Sequence, residues 1–356
     1  MFKFFKSLLS RNGPATDASA AGLPPAPAEL AIAGAPVFAL FEHLSEHNSF
    51  PFLDWAAARE WVDAIPAPEL QAQAWLACER GWLQHMREAL GPGYRLAEES
   101  DALLLSSLAP NVARATLGFV GKTQQRIVRL LDGVARPPAL GKAILIVFDD
   151  GDDYYRYVSH YYHEEGEFAV SGGMYINAGC GHFVTVKADL RMIEPVIAHE
   201  LTHGSLSHLR IPAWLNEGLA VNTERRLCPP GAPLHTPRQM HEKHLQFWGA
   251  EEIQQFWSGK SFLRSDDGNL LSYDLARIIV AQLSSDWPRF RDFVLAADLA
   301  DAGAQAAAEH FNIDLGAAAC ALLEQEITSD WSPEPGAWIE EPERGAFCPQ
   351  RDPAAT

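Results

Sequence analysis

MIEPVIAHELTHGSLSHL, residues 192–209, sets Ile193, Ile197 and Leu201 four residues apart. Apolar side chains at that interval line one face of an α-helix. His199 and His203 are also four apart, so their imidazoles leave the helix on one face, one turn from each other, and can reach a single metal ion. Glu200, next to the first histidine, is placed to reach a water on that ion rather than the ion itself. Proline lacks the amide hydrogen a helix interior needs, which puts the expected start of this helix near Pro195. Two imidazoles and a carboxylate on so apolar a helix are costly to bury unless they have partners.

The next stretch supplies one. After a Leu-Arg-Ile turn, PAWLNEGLAVNTE (212–224) opens with proline at the first position of a second expected helix. Trp214, Leu215 and Leu219 give that helix a buried face, and Glu217 lies among them. A carboxylate there needs a cation. Thirteen residues separate His203 from Glu217, enough for one helix to end, turn and return. Two nitrogens and one oxygen from protein leave a fourth position for water, which is the ligand set of an open catalytic zinc site. The competing reading of Glu217 is a salt bridge on a helix face.

Upstream, Ala143–Phe148 (AILIVF) is a compact run rich in β-branched residues, bounded by Gly141 and Asp149-Asp150-Gly151, and reads as a buried strand. Residues 94–96 and 102–105 read as short strands, 111–133 as a helix, and 153–162 as a short helix. Gly173–Asn177 and His182–Val186 read as two strands around the turn AGCG. That order implies a mixed sheet with helices packed on it. The expected fold is therefore α+β: a mixed sheet over 92–189, then active-site and further helices over 190–327. Residues 37–91, rich in Trp at three- and four-residue steps, read as a helical N-terminal subdomain. The Ala/Pro/Gly-rich segment 1–36 reads as flexible, and the Pro-rich acidic segment 328–356 as an irregular tail.

Composition narrows the function classes. The chain has 356 residues, 47% hydrophobic, and a net charge of −18. Such a surface repels phosphate backbones, so no nucleic-acid partner is expected. Five scattered cysteines form neither a disulfide framework nor a C-x-x-C metal pair, which favours a reducing, cytoplasmic setting. No stretch has the continuous apolar length of a transmembrane segment. MFKFFKSLLS at the N-terminus is broken by Lys6 and reads as the start of a cytoplasmic chain, with a short membrane-surface anchor as the alternative.

HELTH (199–203) followed by WLNEGLA (214–220) resembles the gluzincin metallopeptidases, and the strand pattern before it is similar to their compact peptidase-MA-like bacterial relatives. The resemblance covers roughly residues 92–325. It implies a zincin-like fold and Zn2+ held by His199, His203 and Glu217, with Glu200 as general base and a peptide or protein as substrate. It also implies that a strand along the cleft binds extended substrate, here Gly172–Asn177 and in particular Gly173, Met174 and Tyr175. In the aminopeptidases of the group that strand carries a glutamate for the substrate's free amine; Tyr175 stands in its place here. A downstream tyrosine often stabilises the oxyanion in such enzymes, and Tyr273 is the candidate, its alternative being a core tyrosine bonded locally. Asn216 is positioned to orient a ligand.

The reading favours a zinc metallopeptidase. Its alternatives are a catalytically inactive or regulatory zinc-binding protein of the same fold, and a zinc hydrolase of a non-peptide amide. HEKH (241–244) has the wrong spacing for a second such motif and reads as a solvated face; SHYYHEEGEF (160–169) reads as a solvated helix end and loop. His208 is expected to be exposed, and DDGDD (149–153) lacks the fuller pattern of a calcium loop.

Overall fold

The computed structural model describes residues 24–161, 173–228 and 234–338. Strands β1 (Leu44–His47) and β2 (Phe50–Leu53) form an antiparallel hairpin. Helices α1 (Trp55–Asp63) and α2 (Pro68–Leu90) follow. The central sheet is built from β3 (Arg95–Glu98), β4 (Ala102–Ser106), β5 (Ala143–Phe148), β6 (Gly173–Ala178) and β7 (Cys180–Val186). Between them lie α3 (Pro110–Leu130) and α4 (Gly151–Val158). The remainder is helical: α5 (Leu190–Leu206), α6 (Ala213–Leu227), α7 (Pro237–Phe247), α8 (Ala250–Ser258), α9 (Asp267–Leu283), α10 (Trp287–Ala296), α11 (Ala304–Phe311), α12 (Leu315–Leu322) and α13 (Pro335–Trp338).

The sheet order is β3-β4-β5-β7-β6. Strands β4, β5 and β7 run parallel, and the edges β3 and β6 run antiparallel to their neighbours. This is the α+β fold with a mixed sheet that the sequence implies. Strand β5 shows why its sequence is apolar throughout. Ile144, Ile146 and Phe148 face a core shared with α1, α2 and the hairpin, whereas Ala143, Leu145 and Val147 face the core under α3, α5, α6 and α9. A strand covered on both faces has no polar side to present.

Several local expectations change. The segment 37–91 is not wholly helical, because Asn48 and Ser49 both take positive φ (50° and 68°) and turn the chain into the β1–β2 hairpin. Phe50 and Phe52 then alternate inward with period two. Residues 24–36, expected to be flexible, lie on α2: Arg87 donates to the Pro24 carbonyl (2.8 Å) and Ala26 N–H to Glu88 (2.7 Å). At the other end, Trp331 is buried, and Trp257 donates to its carbonyl (2.8 Å), so the start of the expected tail is packed. The rest of both terminal expectations falls outside the described residues, as do Gly172 and residues 162–169 of the histidine-tyrosine-glutamate cluster.

Helix α5 starts at Leu190, five residues before Pro195. Asp189 caps it by accepting from Arg191 N–H (3.3 Å). Pro195 leaves the Arg191 carbonyl without its helical donor, and Arg191 is exposed, where water can serve instead. Helix α6 begins at Ala213, with Pro212 as its cap residue rather than its first helical residue.

Candidate metal centre

Helix α5 carries His199 and His203 side by side, ring centroids 4.8 Å apart and planes at 76°. Helix α6 returns across it and delivers Glu217. Its Oε2 lies 3.2 Å from His199 Nε2 and 3.4 Å from His203 Nε2. The position of α6 follows from its sequence. Trp214 is fully buried and donates its indole N–H to the Ala302 carbonyl (3.0 Å). Gly218 lets α6 close on α9, since a Cβ there would lie 2.6 Å from the Ala276 carbonyl oxygen and 2.5 Å from Val280 Cγ2.

The outer ring nitrogens are also held. His199 Nδ1 meets Glu224 Oε2 at 3.2 Å, and His203 Nδ1 meets Asn216 Oδ1 at 3.1 Å. Both partners accept, so Nδ1 of each imidazole carries a proton, and Nε2, which faces Glu217, is the atom that could turn a lone pair to an ion in place of its own proton. The sequence reading anticipated Asn216 but missed Glu224. One atom from each of His199, His203 and Glu217 lies within 4.8 Å of the others, and this group could hold a metal ion. The donor set fits: two outward-anchored imidazoles and one carboxylate oxygen converge on one point.

Charge reinforces the arrangement. Burial by itself would push the His199 imidazole down, but hydrogen bonds to Glu217 and Glu224 outweigh it and raise it to about 10. Burial likewise opposes charge on His203, and the Glu217 carboxylate again prevails to raise it. Glu217 would be raised by burial, yet the His203 and His199 partners hold it well below the usual carboxylate range. The pocket thus stabilises a cation against the Glu217 carboxylate, whether protons or a metal supply the charge.

Glu200 is 8% exposed and reaches β6. Its Oε2 accepts the Tyr175 backbone N–H at 2.7 Å. Burial raises this carboxyl above its ordinary range, and the two imidazoles partly counter that. Tyr273, from α9, stands with its ring centroid 6.3 Å from that of His199. Its phenol is raised well above the ordinary value, first by the Glu217 charge, then by burial and by the charge of Glu200, so it stays protonated. Among the described residues its hydroxyl makes no hydrogen bond.

The residues of β6 are placed differently from one another. The Tyr175 side chain lies between β7 and α5, in a slot formed by two glycines: a Cβ on Gly181 would be 2.0 Å from its hydroxyl and one on Gly204 3.0 Å from its ring. Met174 packs toward the N-terminal layer, and Gly173 lies against Phe183 and Val184. What β6 presents to the centre is its backbone edge. Residues of an antiparallel strand alternate between inner and outer pairing, so the outward Tyr175 N–H places Gly173 and Asn177 outward as well.

The other described histidines stay outside the centre. His208 is exposed and His241 meets Glu324 at 3.2 Å. His244 departs from the solvated face expected of it: it is 4% exposed and bonded to Asp274 and Trp248. Within DDGDD, Asp150 caps α4 and Asp149 pairs with Lys187 (3.0 Å). A groove of about 580 Å3 beside Gln124, Arg129 and Lys142 is lined by none of the centre's residues.

Neither protein-family models nor curated proteins give a match to this sequence. No helix among the described residues is long and apolar enough to cross a membrane.

Proposed function

We propose that the chain is a zinc-dependent peptidase. The observation that carries this reading is the convergence of His199, His203 and Glu217 on one point, with the Glu200 carboxylate beside it and outside the ligand set. Zinc held there supplies a Lewis acid that makes water a nucleophile near neutral pH and polarises a carbonyl. Glu200, already pushed up by burial, takes the attacking water's proton and returns it to the leaving amine. The Tyr273 hydroxyl donates to the oxygen that gains charge as the carbonyl is attacked. Asn216 and Glu224 keep the imidazoles in register.

A peptide substrate is favoured by the edge position of β6. Glu200 holds the outward Tyr175 N–H, and the outward backbone groups of Gly173 and Asn177 on either side of it lie on an edge, among the described residues, to which an extended peptide can add as a further strand. The inward Tyr175 side chain contributes no carboxylate for a substrate amine, which favours cleavage within chains over strict removal of N-terminal residues. The test compares wild type with Glu200→Gln for zinc content and for digestion of a peptide library. The expected outcome is one zinc per chain in both and a kcat loss on the order of 10³ in the variant. Wild type free of zinc after purification in zinc-containing buffer, or a fully active variant, defeats the reading.

A further inference from the structure

Tyr273 reaches the centre from a helix whose orientation is fixed by the residues on either side of it. Before it, Ser272 is buried, donates to the Gly268 carbonyl (2.6 Å) and shares a hydrogen bond with the Ser261 hydroxyl (2.7 Å) in the turn leading into α9. After it, Asp274 receives the more telling contact. The Trp248 indole N–H donates to His244 Nδ1 at 2.8 Å. An indole nitrogen has no lone pair to offer, so His244 Nδ1 must be the acceptor and Nε2 carries the proton. That Nε2–H points to Asp274 Oδ2 at 3.2 Å. The other carboxylate oxygen, Oδ1, takes the Arg277 guanidinium at 2.9 Å from Nε. One turn on, the Arg277 carbonyl accepts from Asn222 of the ligand helix α6 (2.9 Å).

Successive residues on a helix diverge by about 100°, so Tyr273 and Asp274 face different neighbours. A directional bond on Asp274 therefore sets the rotation of α9 about its axis, and with it the place of the Tyr273 hydroxyl. Apolar packing alone would hold the helix without fixing that angle as closely. The Trp–His–Asp chain is also a costly way merely to fill the space between α7 and α9, because each member is a polar group largely withdrawn from water.

From this we infer that His244, oriented by Trp248, is a positioning residue that acts through Asp274 to aim the Tyr273 hydroxyl at the reacting carbonyl oxygen. The inference rests on the peptidase reading above. It names a part of the machinery that lies in the HEKH segment, away from the ligands.

The test is a double-mutant cycle in the zinc-loaded protein, with a peptide that wild type cleaves. His244→Ala is expected to lower kcat about tenfold with KM within twofold. In the Tyr273→Phe background the same change should alter kcat less than twofold, because the hydroxyl it aims is already gone. His244→Gln, whose amide can still donate to Asp274, should recover most of the kcat. Additive losses, a loss confined to KM, or no rescue by glutamine while all variants keep their thermal transitions would overturn the inference. If His244→Ala unfolds, Trp248→Phe, which releases the His244 ring, carries the same cycle with coupling of the same sign to Tyr273, and His244→Gln remains the variant expected to stay near wild type. A wild type that holds zinc yet cleaves no peptide overturns the peptidase reading and this inference together; cleavage with additive effects overturns this inference alone.

Discussion

Seven residues after Glu217, Glu224 completes two turns of α6 and so returns to nearly the same helix face. From there it reaches His199 Nδ1, while Glu217 reaches Nε2 of the same ring. One histidine is thus held between two carboxylates of one helix, and the two are placed differently: Glu217 faces the point where a metal ion could sit, and Glu224 fixes the ring from its far side. Removing such an outer partner typically costs 10–100-fold in metal affinity. Glu224→Ala should weaken zinc by about that factor, measured by competition with a chromophoric chelator. Asn216→Ala should act in the same direction through His203. Unchanged affinity in Glu224→Ala would show that α5 packing alone orients His199.

At the scale of elements, the centre depends on how closely α6 approaches α9 as well as α5. Gly218, next to Glu217, faces the α9 backbone at Ala276 with no room for a side chain. Gly218→Ala would force a methyl to within 2.6 Å of the Ala276 carbonyl oxygen, and backbone cannot yield as a flexible side chain would. A destabilisation of about 1–3 kcal/mol is expected, as for other overpacked sites. Zinc affinity should fall with it, because the displaced backbone carries Glu217. Chemical denaturation with and without zinc separates the two effects. The same elements show what is legible without coordinates. The run Ala143–Phe148, the paired histidines and the WLNEG stretch each state their environment locally, by unbroken apolarity or by helical spacing. The β1–β2 hairpin does not, because its strands are four residues long and the turn rests on Asn48 and Ser49 at positive φ. Nor does Glu224, whose last-turn position beside Arg225 and Arg226 reads as a solvated face until α5 is laid against it. His244 is hidden for a similar reason: the residues before it, His241-Glu242-Lys243, are polar, and its burial comes from Trp248 and from α9, thirty residues away.

On the scale of the whole molecule, two buried groups between the N-terminal layer and the sheet set opposing responses to pH. Glu79 on α2 is 2% exposed, its oxygens accepting from Trp75 Nε1 (2.9 Å) and Lys142 N–H (3.1 Å). Burial outweighs these bonds and pushes its carboxyl up to about 8. His182 on β7 is fully buried between Tyr157 and the Cys180 carbonyl, and burial pushes its imidazole down to about 4. In the unfolded chain Glu79 titrates near 4.5, so its contribution is full below that pH and is lost as pH rises from 4.5 through 8. In the unfolded chain His182 titrates near 6.5, so its contribution is full above that pH and is lost as pH falls from 6.5 through 4. Each slope is about 1.4 kcal/mol per pH unit at most, and between 4.5 and 6.5 the two oppose each other. Substitution should separate them whatever it does to absolute stability. Relative to wild type, Glu79→Gln should gain stability steadily as pH is raised from 5 to 8, whereas His182→Gln should gain as pH is lowered from 6.5 to 4. Urea midpoints collected at half-unit pH steps, with the metal content held constant, read both slopes. Parallel curves for either variant and wild type would mean that the group titrates alike in the folded and unfolded chain, and that the Trp-rich interface between layer and sheet admits enough water to solvate it.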